Sequence, residues 1–269
     1  VLAGGTGGAK LAAGFAALLE PADLTVVANT GDDEEFWGLL VCPDVDAVLY
    51  RLAGVFNEQA GYGQKDETFH ALEMLEKLGE RTWFRIGDRD LAVHILRAEM
   101  LRRGATLTET CIELCNRLGV RVRVLPMTDQ PVRTRCLTER GTLSLQEYFV
   151  RERLEPALVA IEFDGMEAAR PTGAVLRALG EADLVVIGPS NPLISIDPIL
   201  KLVGPALPRE RTVAVTPLVG GVALKGPTVE MMRALGIEVS PVAVARLYQE
   251  FASGFVLDET DQDLAPSIE

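Results

Sequence analysis

Gly4-Gly5-Thr6-Gly7-Gly8-Ala9-Lys10 is the stretch whose reading decides the fold. Val1-Leu2-Ala3 before it reads as the end of a buried strand, and Leu11 to Leu19 after it as a helix. Strand, glycine turn and helix together gather free N–H groups and the positive end of a helix dipole at one spot. Lys10, read as lying in the first turn, adds a full positive charge. A phosphate is the guest this arrangement predicts. Two well-known relatives of the turn are excluded. A Walker A loop would need Gly at position 9 and Ser or Thr at 11, where the chain has Ala9 and Leu11. A dinucleotide fingerprint starting at Gly5 would need a third glycine where Lys10 stands, and an acid ending the second strand where Asn29 stands. A plain strand-to-helix turn is the simpler alternative, but four glycines, Thr6 and Lys10 exceed what a turn requires.

Working outward, Leu24 to Ala28 is a continuous apolar run, the pattern of a parallel strand buried on both faces. It ends in Asn29-Thr30-Gly31-Asp32-Asp33-Glu34-Glu35. In an open parallel sheet, ligands sit beyond the carboxyl ends of the strands, so this acidic loop belongs beside the glycine turn. A run of four acids is often only a solvated face. At a strand's carboxyl end it points to a metal or a substrate. Pro43-Asp44-Val45-Asp46 opens a further helix, with Asp44 as its expected N-cap and Asp46 in its first turn. If Asp44 caps the helix, Asp46 is free for the cleft.

Further along, Thr68 to Leu78 is amphipathic, Thr82 to Arg85 reads as a strand, and Gly87-Asp88-Arg89-Asp90 as a charged binding loop before a helix carrying His94. A helix-packing role for His94 is equally compatible with its position. Thr106 to Glu109 is a capping box. Val120 to Leu125 is a strand, and Arg133 to Leu145 a hairpin. The apolar runs Asp183–Ile187 and Thr212–Thr216 resume the parallel pattern, the latter read as the last strand of the sheet. No repeat or low-complexity linker divides the chain. The expected fold is α/β, a Rossmann-like doubly wound, mostly parallel sheet in a single domain over 1–269, with a middle α+β insertion at about 126–165.

Composition narrows the function. Of 269 residues 48% are apolar, enough for a sizeable core, and the formal charge of −13 argues against a nucleic-acid partner. No apolar run approaches a membrane span and no signal peptide is visible. Cys42, Cys111, Cys115 and Cys136 lack zinc spacing and read as buried small hydrophobes in a reducing cytoplasm. The chain opens inside a strand, so a few residues, the starting methionine among them, are expected before Val1.

Seven stretches in order carry a family resemblance: Gly4-Gly5-Thr6-Gly7, Asn29-Thr30, Pro43 to Asp46, Gly87 to Asp90 with His94, Pro126-Met127, Pro189-Ser190-Asn191-Pro192, and Lys225-Gly226-Pro227. Over essentially the whole chain the sequence resembles the 2-phospho-L-lactate transferases of coenzyme F-420 biosynthesis. The resemblance implies that a phospho-lactyl or phospho-enolpyruvyl group moves from a guanosine diphosphate ester to the terminal ribityl hydroxyl of the deazaflavin Fo. GMP leaves, Mg2+ is the cofactor, and a homodimer is the implied assembly. It places Gly5, Thr6, Gly7, Gly8, Lys10 and Asn29 at the diphosphate, and Ser190 and Asn191 on the nucleotide side. Asp46 becomes the acid that holds metal or orients the attacking hydroxyl, with Asp33 and Asp44 as further metal ligands. Thr68, Asp88, Arg89 and His94 fall near the deazaflavin. The alternative is a non-catalytic nucleotide-sugar-binding regulator of the same wider superfamily. The Gly87–Asp90 and Pro43–Asp46 elements argue against it.

Overall fold

Six strands align in parallel at the centre of the computed structural model, which describes residues 1–223 and 226–268. In chain order the elements are β1 (Leu2–Ala3), α1 (Gly5–Ala16), β2 (Thr25–Ala28), the hairpin β3 (Glu34–Phe36) and β4 (Leu39–Val41), α2 (Pro43–Leu52), α3 (His70–Lys77), α4 (Asp88–Arg102) and α5 (Leu107–Leu118). Then come β5 (Arg123–Pro126), β6 (Arg133–Thr138), β7 (Gly141–Ser144), β8 (Leu158–Asp164), α6 (Gly173–Glu181), β9 (Val185–Ile187), α7 (Asp197–Val203) and β10 (Thr212–Val215). The short hairpin β11 (Leu218–Val219) and β12 (Val222–Ala223), α8 (Thr228–Ala234), α9 (Pro241–Tyr248) and β13 (Gly254–Val256) complete the chain.

The central order is β13-β10-β9-β1-β2-β5, with Leu2 opposite both Val27 and Ile187. Order reverses beside β1, which puts the glycine turn at the topological switch where such sheets bind ligands. Alternate residues of each strand enter different cores. Leu2, Val27, Leu125 and Ile187 pack with α6, α7 and α9, while Ala3, Val26, Ala28 and Val124 pack with α1, α2 and α5. This two-faced burial is why the strands read as unbroken apolar runs. The insertion is a three-stranded antiparallel sheet, β7-β6-β8, between β5 and α6. The capping box at Thr106 and Glu109 forms as expected, and α5 ends on left-handed Gly119, φ 71°.

Three expectations are corrected. Thr82 to Arg85 is not a strand; its aromatic residues turn toward other rings instead of a ladder. Thr212–Thr216 does not end the sheet, because β13 pairs in parallel beyond it, Ala214 opposite Phe255. Asp44 is not the N-cap of α2. Cys42 holds that position without a side-chain cap, and Asp44 and Asp46 both fall in the first turn. Among the described residues, no helix is long and apolar enough to cross a membrane.

Candidate functional site

The glycine turn is wound into α1 almost from its start. Gly4 is the N-cap and Gly5 the first helical residue, at φ 55°. Lys10 therefore lies in the second turn, exposed, and not in the first as expected. Packing explains the winding. A Cβ on Gly7 would meet the carbonyl oxygen of Pro189 at 2.0 Å, and one on Gly8 would meet Ser190 Oγ at 2.6 Å and Ala3 Cα at 2.8 Å. Only glycine lets the helix start sit so close to β1 and to the loop after β9. Ser190 is buried and fixes that loop, donating to the carbonyl of Gly4 at 2.5 Å and accepting from its N–H at 3.1 Å. Asn191 accepts from Leu193 N–H at 2.9 Å. Ser190 therefore sits against the turn, and both side chains, expected on the nucleotide side, bind protein. Thr6 donates to Gly61 at 3.3 Å, which draws the 54–66 loop over the helix start.

Acids meet this helix start from two sides. Asn29, fully buried, donates to Asp44 Oδ2 at 2.9 Å and accepts from Gly31 N–H at 2.8 Å. Gly5 N–H and Ser195 also bond Asp44, so one carboxylate joins β2, α1 and α2. Burial nevertheless raises Asp44 to about 6 and Asp33 to about 7. Asp32 is raised well above the carboxylate range by burial and by the charges of Asp44 and Asp33. Asp33 accepts from the Cys42 thiol at 3.2 Å. Thr30 Oγ1, Asp32 Oδ1, Asp33 Oδ1 and Thr134 Oγ1 are buried without a hydrogen-bond partner among the described residues. Asp32 feels the like charges of Asp44 and Asp33, while Arg133 and Arg97 partly offset the burial of Asp33, so a cation or protons would relieve Asp32 most. The donors are all oxygen, which suits a hard ion such as Mg2+.

Asp46 faces the other way. Positions two apart on a helix diverge by about 200°, and Asp46 lies against α4, where Arg97 bonds both its oxygens. Arg97 also donates to the Leu40 carbonyl at 3.2 Å and contacts His94 Nδ1 at 3.1 Å. His94 Nε2 lies 3.3 Å from Asp90, which accepts from the Tyr50 hydroxyl at 2.5 Å. Asp46, His94 and Arg97 are all buried. Asp46, Asp90 and His94 offer ligand atoms within 4.8 Å of one another. Arg97 already answers one of the two carboxylates, so an added cation would face a fixed charge of its own sign beside Asp46. The condition under which Asp46 was expected to be free for the cleft, Asp44 as N-cap, is not met, and Asp46 is paired instead with Arg97.

The Gly87–Asp90 segment is a helix start, not a loop. Asp88 accepts from His70 and Ala71 N–H groups, both at 3.0 Å, and from Thr68 Oγ1 at 2.5 Å, so it caps α3. Glu67 returns the favour, accepting from Arg89 N–H at 2.8 Å and Asp90 N–H at 2.9 Å. Thr68 and Asp88 thus meet through reciprocal capping, and His94 lies within the Arg97 network. Arg89 stays exposed over the 65–66 segment. Next to these caps, Thr68, Phe69, Leu72, Glu76, Thr82 and Arg85 line a cleft of about 340 Å³, with Arg85 over the Phe69 ring at 4.4 Å. Sequence reading missed Ser195, Arg97 and Glu67, whose importance lies in distant partners. Gly226 and Pro227 precede α8, whereas Lys225 lies outside the described residues.

A glycine-opened helix beside buried carboxylates at the switch point of a parallel sheet marks a Rossmann-like α/β protein. Known proteins narrow that class. A family model described as 2-phospho-L-lactate transferase CofD matches residues 1–265. The 2-phospho-L-lactate transferase of Methanosarcina barkeri is 38% identical over 97% of this chain and 85% of its own. The phosphoenolpyruvate transferase of Streptomyces coelicolor is 40% identical over 100% and 87%. The chain belongs to the CofD family. A crystal structure of a protein from Bacillus halodurans superposes with TM-score 0.56 at 20% identity, covering 99% of this chain and 89% of that one. At that identity the likeness concerns the fold alone.

Proposed function

We propose that this protein transfers a 2-phospho-L-lactyl or phospho-enolpyruvyl group from a guanosine diphosphate ester to the ribityl hydroxyl of the deazaflavin Fo in coenzyme F-420 biosynthesis. Oxygen attacks the phosphorus that bears the acid, the bond to the GMP oxygen breaks, and GMP leaves. Family membership supports this reading, since the relatives include a 2-phospho-L-lactate transferase and a phosphoenolpyruvate transferase. The observation that carries it is the pair Asp32 and Asp33, each with a buried oxygen that lacks a partner among the described residues, beside Asp44 at the α1 start. Phosphoryl chemistry needs positioning and charge neutralisation more than a nucleophilic side chain.

The first-turn N–H groups of Thr6 and Gly7 have no intrahelical acceptor and receive the donor's diphosphate. Asp32, Asp33 and Asp44 would hold Mg2+, which when bound neutralises charge on the transferring phosphate. A carboxylate oxygen of this set takes the proton of the attacking hydroxyl. Asp46 then acts through Arg97, fixing α2 and so Asp44, rather than touching substrate. Lys10 helps attract the donor through solvent, and its replacement by Ala changes GDP affinity by less than about 1 kcal/mol. The test is incubation with Fo and each guanosine ester in Mg2+, with products read by mass. Formation of GMP and the phosphodiester product supports the reading. Tight GDP binding with no transfer from either ester returns the regulatory alternative.

A further inference from the structure

At one margin of the central sheet stands β5, paired with β2 alone. An open strand edge invites a further strand, but this one is closed. Met127 N–H turns inward to the Ala28 carbonyl at 2.9 Å, so the alternate positions Val124 and Pro126 turn their backbone outward. Cys111 donates to the Val124 carbonyl at 3.4 Å, and Val124 N–H donates to the Cys115 sulfur. Pro126 has no N–H to offer. Whatever meets this margin must do so through side chains. Beside it, between α5 and α6, lies a cleft of about 510 Å³, an ordinary volume for a small-molecule site. Val122 and Val124 turn into the α5 core and Leu125 into the α6 core, so Arg123 falls on the side where α6 presents Arg177. Arg121 also lines the cleft. All three arginines are exposed, and none makes an ion pair or a side-chain hydrogen bond among the described residues. Nearby arginines are answered: Arg117 on α5 bonds Glu113 at 2.7 Å, and Arg103 after α4 bonds Glu99 at 2.8 Å. In a chain of net charge −13, three unanswered cations around one cleft run against the overall balance.

We infer that this cleft binds a small organic dianion, a phosphate monoester or a dicarboxylate carried on an apolar body. Guanidinium groups bind either acid through paired, charge-assisted hydrogen bonds. Glu181 is the one carboxylate in the lining, so the cleft carries two positive charges in excess, the charge such a ligand offsets. Ile112, Leu125 and Ala174 supply apolar surface for the body of the ligand. An added peptide strand is the wrong occupant, because the thiols and Pro126 have taken the backbone groups it would need. None of these residues belongs to the glycine turn or the acid cluster, so the site stands or falls apart from the transfer reading.

Calorimetric titration of the whole chain with phenyl phosphate and with phthalate tests this, with benzyl alcohol as the uncharged counterpart. Wild type binds at least one dianion and not the alcohol, and the tighter of the two names the acid group. Arg123→Gln and Arg177→Gln each weaken that binding about 10-fold, the scale of one lost charge-assisted hydrogen bond. Arg246→Gln, at an exposed arginine of α9 outside the cleft, removes the same charge and leaves binding unchanged. All three changes are at exposed side chains, so the melting temperature holds. Absence of dianion binding by the wild type overturns the site. So does binding that survives both cleft variants, which places the anion elsewhere, and binding that Arg246→Gln weakens equally, which reduces it to bulk attraction. Equal affinity for benzyl alcohol makes the cleft an apolar hollow without charge recognition, and the proposal falls. Sedimentation supplies the remaining arm: a wild-type dimer that Arg123→Gln and Arg177→Gln dissociate, with no dianion bound, makes this margin a contact between copies instead.

Discussion

Asp44 and Asp46 share one turn of α2 and are equally buried, each 4% exposed, yet they live in opposite electrostatic surroundings. Asp46 meets a buried guanidinium that bonds both of its oxygens. Asp44 meets an amide, a backbone N–H, a hydroxyl and the Asp32 carboxylate, and no side-chain cation among the described residues bonds it. The chain's own cation bonds Asp46 directly, the closed side, whereas Asp44, on the open side, is held by neutral donors, and Asp33 lies between, feeling the charges of Arg133 and Arg97 without a hydrogen bond to either. A buried acid therefore says little by its position in a motif. Its nearest opposite charge tells whether it serves the fold or the ligand.

The comparison breaks most visibly on the closed side. Removing one partner of a buried ion pair strands the other, which costs about 3–5 kcal/mol. Arg97→Met leaves Asp46 facing His94 and Asp90 without their cation, and also releases the Leu40 carbonyl. Thermal unfolding should show a large drop in Tm that saturating Mg2+ does not repair. A Tm within a degree or two of wild type would mean the network is solvated and that Asp46 is available for the cleft after all. Asp46→Asn belongs with this variant, as a loss of stability before a loss of chemistry.

On the open side the order reverses. Asp44→Asn keeps the shape and removes a charge that burial disfavours and three hydrogen bonds favour, so without Mg2+ its stability should differ from wild type by far less than that of Arg97→Met. Transfer should fall about 10²-fold or more, the scale seen when a preorganised electrostatic contact is deleted. Turnover measured at saturating Fo and ester decides it. Near-wild-type rates would make Asp44 a bracket between β2 and α2 and would move the centre of the site toward Asp32 and Asp33.

Much of the frame was legible. Buried parallel strands announce themselves as apolar runs, and β1, β2, β5, β9 and β10 were all readable on that ground. The edge strand β13 was not, since it is three residues long, begins with glycine and is partly exposed. The Gly87–Asp90 segment looked like a binding loop because charge density there is high. Its charges are answered by Glu67 and by the start of α3, partners that a linear reading does not supply. Motifs drew attention to Asp33, Asp44 and Asp46, which all prove to be buried. The wiring that separates Asp44 from Asp46 depends on Arg97, a residue inside an ordinary-looking helix, and on the half-turn that points two acids apart.

The smallest expected effect is the one that tests the comparison without mutating the closed side. Asp33 at about 7 and Asp44 at about 6 are raised above the ordinary 3.8 of an unfolded aspartate. Between about pH 4 and 7 the folded chain therefore holds protons that the unfolded chain has released. Their contribution to stability is fully present below pH 4 and is lost as pH rises through 6 to 7. Thirty-nine acids titrate in this chain, so a bare slope of Tm on pH would be uninformative. The useful quantity is the difference between wild type and Asp33→Asn, which lacks the raised group. Without Mg2+, wild type should lose Tm relative to that variant between pH 5 and 7.5, by about 2–4 °C for each kcal/mol of linkage. A cation competes with those protons, so the stabilisation from added Mg2+ should be larger at pH 7.5 than at pH 5 in wild type and should shrink in the variant. Arg97 offers no such opening on the Asp46 side, so Mg2+ should act no differently once Asp90 is replaced by Asn, whatever that change costs the fold. Parallel Tm curves for wild type and Asp33→Asn, with Mg2+ equally effective at both pH values, would show the open cluster to be already neutralised and would erase the distinction between the two aspartates.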